Sequence, residues 1–405
     1  MDELDALRQM RPALAREEHP DRLALRTNWR SRPAPRPRTR RRLMVPLMGV
    51  VAAGAVAAGS VAVLSLDSGG HPSPGRTVPL RTGGGGNALL VAATNAEKAP
   101  SGAYWHTRRI NGVIYAVGKT RADHYKIESR QQYDMWTRRD GRTLLNVTDL
   151  PARPWTAQDR AKWQQAGSPT TIQAPSSEGP VTLFLDPKTA MQLPHPRPES
   201  NQEFYGLTPR QIAELPTEPK ALENALFKLR DRWHAYSSTS AKERLGSLQG
   251  AERVRALSDV AGGLLADVPA PPKVRAAAFR MLAAQPGVRA QGTETDPMGR
   301  TGTVISLPVE TTVPLGLYTA PKQLGTYRRQ WIIDPATGTL LAVRDLVATP
   351  PHGSRKLPPG DDGKPRTLRV QDQPDRFHRP GEVSSYKVYA VAEWVNSEPK
   401  LPAGP

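Results

Sequence analysis

Side chains able to do chemistry are spread thinly along this 405-residue chain. Its eight histidines (His19, His71, His106, His124, His195, His234, His352 and His378) are scattered, and none lies three or four residues from another. A helix face therefore cannot present two imidazoles to one metal ion. There is no cysteine. That excludes thiolate zinc sites, iron–sulfur clusters, thiol nucleophiles, disulfides and a lipid-modified cysteine. No Gly-x-Ser-x-Gly elbow, phosphate-binding glycine loop or dinucleotide fingerprint is present, and the carboxylates show no paired spacing for acid/base work. Asp361-Asp362-Gly363 reads as a turn. The expectation is a protein that is not an enzyme and uses no metal or cofactor.

Two groups of residues remain as binding candidates. Leu4, Leu7, Arg11 and Leu14 recur at helical spacing behind Asp2, Glu3 and Asp5, acids that suit a helix N-terminus. So short a helix needs a surface to lie on: a cytoplasmic protein partner or the membrane. Trp105, Tyr115, Trp136 and Trp331 fall on strand-like segments and could line a pocket for an apolar ligand.

The elements that position these residues begin with a basic arm. Residues 1–42 hold 12 arginines against 6 acids, part of an excess of 56 Lys+Arg over 38 Asp+Glu. The charge invites a nucleic-acid reading, but Trp29 is the arm's single aromatic residue, so stacking on bases is not expected. Leu43 to Leu66 follows, 24 residues without a charge. As a helix it measures about 36 Å, enough for a hydrocarbon core of about 30 Å. Seven arginines stand in the 15 residues before it and two in the 15 after. The asymmetry predicts a single transmembrane helix, with the N-terminus cytoplasmic, its arginines on anionic headgroups, and the rest extracytoplasmic. Cleaved export through a signal peptide or twin-arginine signal is the competing reading.

Asp67 to Gly86 is a Gly/Pro/Ser linker, and residues 87–396 form the extracytoplasmic domain, with 397–405 a disordered tail. A short helix is expected over Asn87 to Lys98. Period-2 alternation predicts strands over Tyr104–Ile110 and Val113–Val117, joined by an Asn111-Gly112 hairpin turn. Further strands are expected over 125–127, 133–138, 142–147, 181–185, 301–307, 328–333, 339–346 and 384–395. Asp140-Gly141 and Asp334–Gly338 are the tight turns among them. A helical block spans 208–286. It opens at Thr208-Pro209, Glu218-Pro219 and Pro271-Pro272, and it carries apolar stripes that should cover the sheet. Residues 150–179 and 349–381 read as long loops. The fold class is α+β, with an antiparallel sheet.

Several pieces of the chain, taken in order, resemble a known family. They are Leu215-Pro216-Thr217-Glu218-Pro219-Lys220-Ala221-Leu222; Pro272 to Arg280 with Gln285-Pro286-Gly287-Val288; Asp296-Pro297-Met298-Gly299-Arg300; and Ile332 to Leu341. With the opening Met1-Asp2-Glu3-Leu4 and the span, they resemble an uncharacterised actinobacterial family known by a locus-tag name. Its members look like single-pass membrane proteins often encoded beside extracytoplasmic-function sigma factors. The resemblance implies an anti-sigma or envelope-sensing role, with a sigma factor as cytoplasmic partner; an apolar or anionic envelope component is the ligand expected for the extracytoplasmic domain. The helix-plus-sheet order also resembles the curved half-barrel of lipoprotein carriers, which implies a tethered carrier or scaffold as the alternative.

Overall fold

Alternation of buried and exposed residues from Tyr104 onward builds a sheet far larger than any one hairpin. The computed structural model describes residues 85–176, 179–187, 197–201, 204, 207–229, 248–310, 323–357, 365–397 and 399. The arm, the apolar span and most of the linker lie outside these residues, and so do Leu4, Leu7, Arg11 and Leu14. Among the described residues no helix is long and apolar enough to cross a membrane.

Thirteen strands are described: β1 (Tyr104–Val117), β2 (Tyr125–Arg138), β3 (Arg142–Pro154), β4 (Thr171–Ala174), β5 (Val181–Phe184), β6 (Arg197–Asn201), β7 (Arg289–Thr295), β8 (Thr301–Glu310), β9 (Thr326–Asp334), β10 (Thr339–Thr349), β11 (Ser354–Leu357), β12 (Arg366–Arg369) and β13 (Val383–Val395). Nine form one antiparallel sheet in the order β6-β3-β2-β1-β13-β10-β9-β8-β7. The sheet is open, with β6 and β7 at its edges. The last strand lies at its centre, pairing β1 on one side and β10 on the other. β4–β5 and β11–β12 are separate two-stranded hairpins.

The helices are α1 (Gly85–Glu97), α2 (Ala157–Gln165), α3 (Pro209–Ala213), α4 (Pro219–Phe227), α5 (Gly250–Gly262) and α6 (Pro272–Ala283). Their starts follow local chemistry. Thr208 makes a capping box with Gln211 before Pro209, and the Glu218 carboxylate accepts from the amides of Lys220 and Ala221 before Pro219. α5 runs on as a π-helical turn, Gly263–Asp267, closed by Val268 N–H donating to Gly263 O (3.2 Å). Ala276, Ala277 and Ala278 of α6 and Ala92, Ala93 and Ala96 of α1 are fully buried in one core. Such small residues let two helices approach closely. That core takes Leu257, Leu264, Phe279, Trp331, Ile333 and Leu340 from helices and sheet together. Each large side chain buried there contributes about 1.5–3 kcal/mol. A second core around Tyr115, Tyr125, Ile127, Ile172 and Leu183 lies beneath the β4–β5 hairpin.

Four expectations need correction. Asn111-Gly112 is not a turn: β1 runs through it in unbroken register with β2. The reason lies in the neighbouring strand, where the Tyr386 ring occupies the space over Gly112, 2.2 Å from where a Cβ would stand. The glycine makes room for an aromatic ring, and tertiary packing overrides the local signal. Residues 125–127 and 133–138 are likewise one strand, β2. Residues 150–179 are not a long loop. β3 extends to Pro154; Thr156 and Asp159 form a capping box that starts α2; and Asp159 also accepts the Lys126 amide (2.8 Å), fixing α2 to β2. Residues 349–381 contain the β11–β12 hairpin. By contrast the Asp334–Gly338 turn joins β9 and β10 as expected, and Asp296–Arg300 turns the chain into β8, with the Asp296 carboxylate accepting from the amides of Met298 and Arg300.

Candidate functional site

The four aromatic residues expected to share a pocket are packed in separate places. Trp105 faces the helical block, fully buried. Its indole N–H donates to Ala266 O (3.0 Å), where Thr107 Oγ1 also donates (2.6 Å). These two donors from β1 satisfy a carbonyl that the π turn leaves open at the end of α5. Trp331 sits in the main core under α5, and Tyr115 in the second core. Trp136 lies on the opposite face of the sheet, stacked on His106 with centroids 4.3 Å apart. His106 Nε2 and Arg108 reach Asp134 across the same pair of strands.

What the helix–sheet interface does bring together is charge. Arg255 of α5 lies between Asp345 of β10 (3.2 Å), Glu310 of β8 (3.4 Å) and Asp259 one helical turn on (3.4 Å). Arg329 of β9 pairs Asp345 (3.0 Å) and Asp259. Asp345 and Arg329 are directly opposed in the β9–β10 register, so the sheet itself sets their spacing. Burial lowers Arg329 to about 10, helped by Arg255 and opposed by Asp345. Burial likewise pushes Glu310 up to about 8, against the pull of Arg255. Glu310 Oε2 has no partner. The Glu310 carboxyl is thus protonated at neutral pH, which leaves two guanidinium groups balanced by two carboxylates.

A second cluster closes the π turn. Asp267 accepts from Arg109 of β1 (2.7 Å) and from Lys387 and Tyr389 of β13 (3.4 and 3.3 Å). Burial alone would raise Asp267, but Lys387 and Arg109 outweigh it and hold the carboxyl below its ordinary range. An acid at a helix C-terminus opposes the helix dipole, so the two cations are what keep it there. On the other face, Tyr386 reaches across Gly112 to donate to Glu128 of β2 (2.5 Å), which Arg153 of β3 also engages (2.5 Å).

Beside the C-terminal loop a further polar group is sealed in. Asp375 accepts from Tyr327 (2.6 Å) and Ser384 (2.9 Å), and burial holds the neighbouring His378 neutral, with its pKa near 3. Among the described residues no three His, Asp or Glu side chains are grouped to hold a metal ion. The charged clusters were invisible to sequence reasoning because each partner comes from a different element. One signal existed: Arg255 and Asp259 are spaced i, i+4 within a stripe of apolar residues.

No family model, curated protein or solved structure matches this chain.

Proposed function

We propose that this protein is a single-pass membrane regulator. Its extracytoplasmic α+β domain, a curved half-barrel in finer detail, binds an envelope component, and its cytoplasmic arm passes that state inward, to a sigma factor. The observation that carries the reading is the joint between helical block and sheet. Arg255, Asp259, Glu310, Arg329 and Asp345 meet there in a buried network spread over α5, β8, β9 and β10. A buried ion network is weak as a source of stability but strict about geometry. A shift of α5 against the sheet would strand charges, so such a joint favours discrete arrangements over graded ones. That is the behaviour a switch needs.

The alternative, a membrane-tethered carrier of an apolar ligand, is supported by the placement of helices over one face of an open sheet. The separate packing of Trp105, Tyr115, Trp136 and Trp331 weighs against it. Replacing Arg8 to Arg30 with a neutral linker tests the choice. Loss of the envelope-stress transcriptional response, with the protein still at normal abundance, supports signalling. An unchanged response sinks it.

A further inference from the structure

The first turn of α6 collects hydrogen-bond donors and supplies no acceptor. Pro271 at the N-cap gives no side-chain cap, and Pro272 follows it. Arg275 N–H reaches back to Pro271 O (3.0 Å). The amides of Lys273 and Val274 point out of the N-terminal end of the helix, with no carbonyl to meet among the described residues. Arg275 is 3% exposed, its Nε has no acceptor, and no carboxylate stands beside it. The acids of the neighbouring elements are committed elsewhere: Asp267 to Arg109 and Lys387, Glu97 to Arg280.

Aromatic rings continue the group. The Arg275 guanidinium lies over Trp105 at 4.7 Å, Trp105 meets Trp394 edge to face at 5.6 Å, and Arg139 lies over Trp394 at 4.9 Å. The Trp394 indole N–H is buried without an acceptor. Helical side chains lean toward the N-terminus, the end of α6 where the free amides lie. A buried cation at the positive end of a helix is unfavourable twice over, through the dipole and through desolvation. An anion removes both penalties.

We propose that this corner, between the start of α6 and the ends of β1 and β13, binds a phosphate group, held by Arg275 and the Lys273 and Val274 amides, with Trp394 N–H at its rim. Donors on a guanidinium, a helix start and an indole outnumber what a planar carboxylate can accept, whereas phosphate offers oxygens in several directions. The site deepens the reading of residues 85–397 as an envelope-ligand domain and does not depend on the arm signalling.

The test uses the full-length chain in uncharged detergent micelles at fixed ionic strength, with inorganic phosphate titrated against chloride. A parallel arm adds phosphatidylglycerol to those micelles, with a phosphate-free diacyl glycolipid as the control. Tryptophan fluorescence and Tm are read in both. Saturable binding of inorganic phosphate, weakened at least tenfold by Arg275→Met and severalfold by Trp394→Phe, supports the site with a soluble phosphorylated ligand. The same losses seen only with phosphatidylglycerol support it with a lipid headgroup. Arg275→Met should leave the unliganded Tm equal or higher, since it removes an uncompensated buried charge. No response in either arm, or a response that both variants retain, overturns the proposal. Should Arg275→Met not fold, Arg275→Lys and Trp394→Phe decide it by the same criterion. Failure of the arm-replacement experiment would leave phosphate binding intact, so the two readings fall separately.

Discussion

Glu310 is held 3.4 Å from Arg255 with its other oxygen unpartnered, and its proton stays on to about pH 8. In the unfolded chain the same carboxyl ionises near 4.5. Between those values the folded state binds one more proton than the unfolded state, so the contribution of Glu310 to stability is present below pH 4.5 and is lost as pH rises to 8. Glu310→Gln should therefore raise the unfolding free energy read from urea denaturation at pH 8, by roughly 1–3 kcal/mol, and leave it unchanged near pH 4. A midpoint at pH 8 no higher than the parent's would show that Arg255 keeps the carboxylate ionised. The sequence showed these charges but not their meeting. Arg255 is separated from Glu310 by 55 residues and from Asp345 by 90, and only the strand order places them together.

At the level of elements, the β9–β10 hairpin shows what a local motif can and cannot disclose. Asp334 accepts from the amide of Ala336 (2.9 Å) and the hydroxyl of Thr337 (2.6 Å), and Gly338 adopts φ +68°. The turn and the positive φ of its glycine were legible in Asp334-Pro335-Ala336-Thr337-Gly338; the two bonds to the Asp334 carboxylate were not read there. The turn's second task was not: a Cβ on Gly338 would stand 2.3 Å from the amide nitrogen of Ala96, because α1 ends against it. Gly338→Val should then cost more than the 1–2 kcal/mol of backbone strain alone. Gly353, at φ +70° with open space around it, is the control, and Gly353→Ala should cost only about 1 kcal/mol. Equal urea midpoints for Gly338→Val and the parent would remove both the strain and the contact. The starts of α3, α4 and α6 were readable for the same local reason, as each is written in a cap or a proline. β6 and β7 were not, since a polar edge strand such as Arg289–Thr295 lacks the apolar alternation of a central one. Asn111-Gly112 misled because the ring that needs the glycine arrives from β13.

For the molecule as a whole, the arginine asymmetry about Leu43–Leu66 makes topology testable. Cysteines at Ser31 and Ser73 should behave oppositely toward a membrane-impermeant maleimide, with Ser73→Cys labelled in intact cells and Ser31→Cys only after lysis. Labelling of Ser31→Cys in intact cells would reverse the orientation. The position of β13 bears on how the protein is made. β1, β2 and β3 can pair as they emerge, and β7 to β10 can do the same, yet each group then exposes an unpaired strand, β1 in one and β10 in the other. Both edges wait for Val383–Val395, which follows every other described strand in the chain. Until then the chain is two half-sheets with sticky borders, vulnerable to wrong pairing and to proteases. A chain that stops short of Val383 is open along both borders, so one inserted strand separates a continuous sheet from two halves.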